Sequence, residues 1–284
     1  MFLKKMMNAF GLGGPTIDTV LDGPGQPGSP VTGSVELVGG GSSATVEHIT
    51  LVLVAGDDTE IFRTMVSGPV PLGEDERKAI PFQIALPWEM PITISGAALG
   101  LRAEAEIDNA TVKGDIGMLS VQPLPVQWRI LEAFGTLGWA LEDAGIQFTK
   151  VPFARPALPV QQVFALRPAP QYASEVGAIE LIFNVTSQNV EVLVGSGQQG
   201  FPGRYDRYTV AHADADTVDW APQVDGWVRQ ALEHRVTAIP LSRDHDDDSG
   251  PGIAGTVAGV VGGVAAGYVA GEVLDDLFDD DDDD

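Results

Sequence analysis

The chain of 284 residues has no cysteine. That excludes a disulfide framework and a thiolate metal site, and it gives no sign of an oxidising compartment. Positive charge is scarce as well: sixteen Lys and Arg stand against forty Asp and Glu, a formal net charge of -24. Such a field opposes docking on phosphate backbones or anionic lipid heads by long-range attraction, so no nucleic-acid partner is expected. The four histidines, His48, His212, His234 and His245, share no spacing. No G-x-S-x-G elbow, H-E-x-x-H pair or phosphate loop occurs, so no catalytic residue, metal or cofactor is expected. The opening MFLKKMMNAFGLGG has too few consecutive apolar residues for a secretory leader, and the body reads as cytoplasmic. Within it, Phe2 to Phe10 form a short amphipathic stretch that packs on the body or touches a membrane.

What is present is strand. Ile17 to Leu21, Val31 to Val38, Thr45 to Val54, Ile61 to Val66, Ile80 to Leu86 and Leu99 to Ile107 have strand length, and Gly- and Pro-rich turns separate them. Such spacing predicts a sandwich. Ile49, Leu51 and Leu53 share one face of their strand, whereas Arg102, Glu104 and Glu106 are expected on a solvent face, so that each sheet buries one side.

From Gln127 to Gly145 the period changes. Trp128, Leu131, Phe134, Leu137 or Gly138, and Leu141 recur at helical spacing, predicting a connecting helix weakened by Gly135 and Gly138. Strand-like runs return at Gln162 to Leu166, Ala178 to Val185, Val190 to Val194 and Tyr205 to Ala211. A helix carrying Val224, Trp227, Val228, Ala231 and Leu232 follows, then a last strand around Arg235 to Leu241. Trp220 and Trp227 are expected as core anchors. The G-x-G-x-x-G at 195–200 is followed by Phe201-Pro202-Gly203, which breaks the helix a dinucleotide site requires, so it reads as a turn. The acidic runs at 212–216 and 244–248 read as solvated loops, since neither has the glycine and closing glutamate of a calcium loop.

Several stretches carry a family resemblance. Gly25-Gln26-Pro27-Gly28 followed by Val31-Thr32-Gly33-Ser34-Val35-Glu36-Leu37 resembles the opening of arrestin-like domains. Ile107-Asp108 with Asp115, then Leu119 to Pro125, is similar to the acidic edge and closing segment of the first domain in the stage-zero sporulation protein M family. Leu137-Gly138-Trp139, Leu158 to Phe164 and Pro168 resemble further signatures of that sporulation-control family. The resemblance implies an all-β chain of two arrestin-like sandwiches in a regulator of sporulation or cell development with no catalytic role. The expected organisation is a first sandwich over 1–126, a connecting helix over 127–147, a second sandwich over 148–242 and a glycine-rich, acid-ended segment over 243–284.

That last segment supplies the candidate site. Gly255, Gly259, Gly263, Gly267 and Gly271 stand four residues apart, which on a helix makes one slowly drifting stripe where a second backbone can approach closely. The uncharged run from Gly250 to Gly271 is long enough to cross a bilayer, but eight of its 22 residues are glycine and only Ile253 and five valines are strongly apolar. Three readings stay open: docking on a partner or on itself, contact with a membrane, and a flexible linker. The acids Asp275, Asp276 and Asp279 to Asp284 serve solubility or meet a basic partner. The expectation is a protein-binding scaffold acting through sheet edges and this stripe, with a membrane-anchored accessory protein as the alternative.

Overall fold

The alternating runs of the first hundred residues are realised as two facing antiparallel sheets. The structure, a computed structural model, describes residues 13–56, 58–107, 109–148, 158–174, 176–195 and 205–236. All of these fall in one compact unit, Met1–Ile239. The unit Pro240–Asp284, which holds the five-glycine stripe, lies outside the described residues.

The first sheet consists of β1 (Thr16–Leu21), β2 (Pro30–Val38) and β6 (Arg77–Ala85) in the order β1-β2-β6. The second runs β4 (Thr59–Ser67), β3 (Ala44–Ala55), β7 (Leu99–Ile107), β8 (Ala110–Lys113), with β5 (Val70–Leu72) on β3 and β9 (Gly117–Met118) on β7. Val35, Leu37, Phe82 and Ile84 from one sheet and Ile49, Leu51, Leu53 and Leu101 from the other share a buried core. Each such side chain contributes roughly 1.5–3 kcal/mol on leaving water. Gly33 lets β1 and β2 approach, because a Cβ there would lie 2.2 Å from the Val20 carbonyl oxygen. The short strands β5, β8 and β9 carried no readable period and were not expected.

Two expectations are corrected by local geometry. The first helix, α1, spans Pro125–Thr136 rather than Gln127 to Gly145. Proline suits its first turn, where the missing N–H would find no partner, and the Gln127 side chain accepts a hydrogen bond from the Leu124 N–H at 2.9 Å. Its end is fixed by Gly138 at φ 90°, a left-handed position. The Trp139 N–H donates to the Phe134 carbonyl and the Gly138 N–H to the Gly135 carbonyl, the paired bonds of a Schellman stop. Trp139 then packs edge-on against Phe134 at 6.4 Å. The chain leaves in a new direction, and residues placed on the helix become β10 (Ala140–Phe148).

β10 opens a five-stranded meander with β11 (Val160–Arg167), β12 (Ile179–Val185), β13 (Asn189–Gly195) and β14 (Tyr205–Ala211), adjacent in chain order. Its apolar face carries Phe164, Leu181, Val192 and Val194, all buried. Helix α2 (Trp220–Val236) covers part of that face, with Trp227 stacked on Tyr208 at 4.7 Å. Trp220 and Trp227 are core residues, as expected. Arg235 and Val236, expected in a last strand, instead end α2; residues 237–241 lie outside the described residues. The chain is thus an all-β protein of antiparallel sheets with few helices.

A side chain joins the first body to the meander. Gln162 of β11 accepts from the Ile92 N–H at 2.9 Å and donates to the Ile92 carbonyl at 2.8 Å, pairing with backbone as a neighbouring strand would. It also donates to the Ala144 carbonyl at 3.2 Å. Nearby, Trp88 lies against the His212 ring, 5.4 Å between centroids, and His212 Nε2 is 2.8 Å from the Thr186 carbonyl oxygen.

Candidate interaction surfaces

The five glycines singled out in the sequence, Gly255, Gly259, Gly263, Gly267 and Gly271, lie outside the described residues, as do the acidic run at 244–248 and all of the G-x-G-x-x-G after Gly195. The run His212–Asp216 forms a 3-10 turn in which Asp214 accepts from the Ala211 N–H at 2.8 Å. Among the described residues no cluster of three or more His, Asp or Glu side chains could hold a metal ion. His234 sits 2.7 Å from Asp206, tying α2 to β14.

A charge cluster occupies the outer face of β7, and it corrects the expected solvent face. Arg102 and Glu104 are 7% and 4% exposed. Arg102 Nε and Nη2 both donate to Glu104 Oε1, and Nη1 donates to Asp58 in the β3–β4 turn. Glu104 also meets Arg63 of β4 at 3.0 Å and Lys113 of β8 at 3.2 Å, while Arg63 forks onto Glu60 through two bonds of 2.9 and 2.7 Å. Burial pushes the Glu104 carboxyl upward, but Lys113, Arg63 and Arg102 outweigh it and hold the group below its ordinary value. For Arg102 burial opposes the charge, and Asp58 with Glu104 restore it above the usual value.

Three cations meet three acids, so the cluster is neutral within itself. With each cation already facing a carboxylate, it offers no ready binding site for an anion. Its role is to close a face that the expected one-sided sheet left open to water: Thr50, Val52 and Val54 on the same face are buried too. The signal for this was in the sequence. Leu51-Val52-Leu53-Val54 is apolar on both faces, the pattern of a strand covered on both sides.

A more open surface lies along one edge of each sheet. In the sheet orders β1-β2-β6 and β4-β3-β7-β8, both β6 and β4 are edge strands. Between them runs a groove of about 420 Å³ whose lining includes Phe62, Met65 and Val66 of β4 and Phe82, Gln83 and Ile84 of β6. Among the described residues no ionisable group lines it. Met65 is 63% exposed at its mouth, whereas Phe82 and Ile84 reach into the core. A second hollow of about 320 Å³ lies between α1 and the start of α2, where Arg129 is held by Glu132 at 3.2 Å and Asp216 at 2.9 Å. Its cation is already paired with two acids, so the apolar groove is the stronger candidate.

Edge strands of this kind present unpaired N–H and C=O groups as a template. The direction of β6 follows from its proline and from one bond beyond its end. The Leu86 N–H donates to the Ser29 carbonyl, so even-numbered residues turn toward β2 and odd-numbered ones turn outward. Pro81 therefore has its ring nitrogen on the outer side, where a strand tolerates it. Ala79, Gln83 and Ala85 keep outward amides. Sequence reasoning named sheet edges as binding elements but could not say which, because strand order is not written in the period.

Comparison with known proteins gives the context. The family model described as SpoOM protein matches residues 3–199. A curated relative, the sporulation-control protein spo0M of Bacillus subtilis (strain 168), is 27% identical over 205 residues, 68% of this chain and 79% of its own length. A crystal structure of Spo0M, sporulation control protein, from Bacillus subtilis superposes with a TM-score of 0.65 over 78% of this chain and 99% of that one, at 21% identity. At that identity the structural likeness speaks for the fold.

Proposed function

Because the chain belongs to the SpoOM protein family, we propose that it is a non-enzymatic regulator of sporulation or cell development, an arrestin-like scaffold that acts by holding other proteins. The observation that carries this reading is the apolar groove between two strand edges that have no second neighbour among the described residues. It offers hydrogen-bonding backbone and uncharged surface, the means of protein recognition, and no reacting group. The five-glycine stripe at Gly255, Gly259, Gly263, Gly267 and Gly271 is the second contact, used for a partner or for self-association. The -24 charge directs the protein toward neutral or basic protein partners rather than nucleic acid, and the work is done in the cytoplasm without a cofactor.

A membrane-anchored accessory protein is the competing reading, favoured by the 22 uncharged residues from Gly250 to Gly271. Among the described residues no helix is long and apolar enough to cross a membrane. Two measurements decide. A photo-crosslinker at position 261 of the full chain is expected to yield a defined protein adduct in cells, lost when Gly255, Gly259 and Gly263 become leucine. Unchanged association and unchanged cellular effect in that triple variant would overturn the glycine contact. Retention on membranes after an alkaline wash, released by deleting residues 249–284, would replace the soluble scaffold by the anchored protein.

A further inference from the structure

We infer that the groove between β4 and β6 takes one kind of occupant: an extended, uncharged segment of another protein, which adds to the outer edge of β6 and lays alternate apolar side chains over Phe62, Phe82 and Ile84. This deepens the scaffold reading above and rests on it.

Charge selects the occupant. The chain is rich in acid, yet among the described residues the groove lining holds no ionisable group. A Lys, Arg, Asp or Glu side chain pushed down between Phe62 and Phe82 would lose water without meeting a counter-charge, so the occupant's buried face is neutral. Backbone selects its shape. Gln83 and Ala85 direct their N–H and C=O groups away from β2, while Pro81 offers only its carbonyl. Ala79 keeps an outward amide beyond the proline, but the groove is lined by residues 81–85 of β6, so a strand that fills it pairs with Gln83 and Ala85, in the manner of strand addition to an exposed edge. Side chains two residues apart on such a strand lie about 6–7 Å apart and share one face. That spacing lets alternate residues enter a groove of about 420 Å³ while the others stay in water. The proline limits promiscuity, since it removes a donor from the middle of the edge and leaves only a short template for indiscriminate pairing.

The test uses the full chain and three labelled, end-capped decapeptides, one alternating leucine with serine, one with glutamate and one with lysine in place of the two central leucines. Fluorescence anisotropy is expected to show saturable binding of the leucine peptide and at least tenfold weaker binding of the charged ones. Met65→Glu puts a charge at the mouth and Gln83→Pro deletes an outward donor. Both positions are exposed, so both variants should melt with the parent, and each is expected to weaken binding at least tenfold. Equal affinity for the three peptides, no binding of the leucine peptide, or indifference to both variants would overturn the inference. So would a dimer in sedimentation that both variants dissolve, which would assign the edge to a second copy. Any of these outcomes removes this docking edge without touching the crosslinking test of the glycine stripe.

Discussion

Replacing Gln162 by leucine isolates the joint between the first body and the meander. Leucine keeps much of the volume but removes both bonds to Ile92, at 2.9 and 2.8 Å, together with the longer one to Ala144. Ile92 is 1% exposed, so water cannot easily replace what its N–H and C=O lose. Each orphaned buried backbone group costs about 1–3 kcal/mol. Two of them, offset by roughly 1 kcal/mol from the more apolar side chain, give a net loss of about 3 kcal/mol. For a unit of this size that corresponds to a fall of about 6–12 °C in melting temperature. Urea titration followed by tryptophan fluorescence measures it, with an unchanged slope showing that the same surface is exposed on unfolding. Gln161→Leu is the control. Its amide meets only the Asn184 side chain, at 3.1 Å, on the other face of the sheet, and the expected cost is below about 1 kcal/mol. If Gln162→Leu also stays within 1 kcal/mol of the parent, the side-chain clamp does not hold the two bodies.

Glu104→Gln leaves Arg63, Arg102 and Lys113 facing only Asp58 and Glu60, and breaking a buried pair in this way is expected to cost about 3 kcal/mol, against less than about 1 for Lys113→Ala at the 57%-exposed end of the cluster. Because the folded Glu104 carboxyl lies below its ordinary value of 4.5, its contribution is present above that pH and is lost as the solution is acidified through the folded value. Parent and Glu104→Gln should accordingly converge in stability in acid, and a gap that stays constant from pH 7 into acid would refute the assignment. Gly33→Ala is expected to abolish soluble expression, its Cβ being 2.2 Å from backbone oxygen, whereas Gly23→Ala, with nothing within 4 Å, should be neutral in the same assay. Asp18 stands directly opposite Glu36 across β1 and β2, so Glu36→Lys should raise stability by about 0.2–1 kcal/mol in chemical denaturation despite losing the bond from Ser34.

Where one period ran uninterrupted between turn residues, the sequence was sufficient. Leu99 to Ile107 is a strand over those same residues, and Tyr205 to Ala211 likewise. Around Gly138 two signals competed. Trp128, Leu131, Phe134, Leu137 or Gly138, and Leu141 fit one helical stripe, and nothing in that spacing says that the chain turns before Leu141. The turn is made by backbone bonds from Gly138 and Trp139 to the preceding carbonyls, in a conformation that glycine adopts without cost. Two glycines inside the expected helix, Gly135 and Gly138, were read as weakening it; the second of them is the stop.

The candidate site was less legible than the fold for a reason of the same kind. Phe62, Phe82 and Ile84 would read as inward-facing residues whether their strands were central or marginal, because such residues look alike on every strand of a sheet. What makes them accessible is that, among the described residues, β4 follows β3 yet gains no second neighbour and β6 pairs with β2 alone. Strand order, fixed by which apolar faces find each other across the core, created an opening that no single segment encodes. Only Pro81 marks it locally, since a proline inside an otherwise good strand implies that one side of that strand is unpaired. The same reasoning separates the charge cluster from the groove. Arg102 and Glu104 sit on a central strand, where Arg63 reaches Glu104 across β3 from β4, Lys113 reaches it from β8 and Asp58 meets Arg102, and so they are consumed by structure. Among the described residues the β4 and β6 edges have a neighbouring strand on one side only, and that missing neighbour is what a second protein can supply.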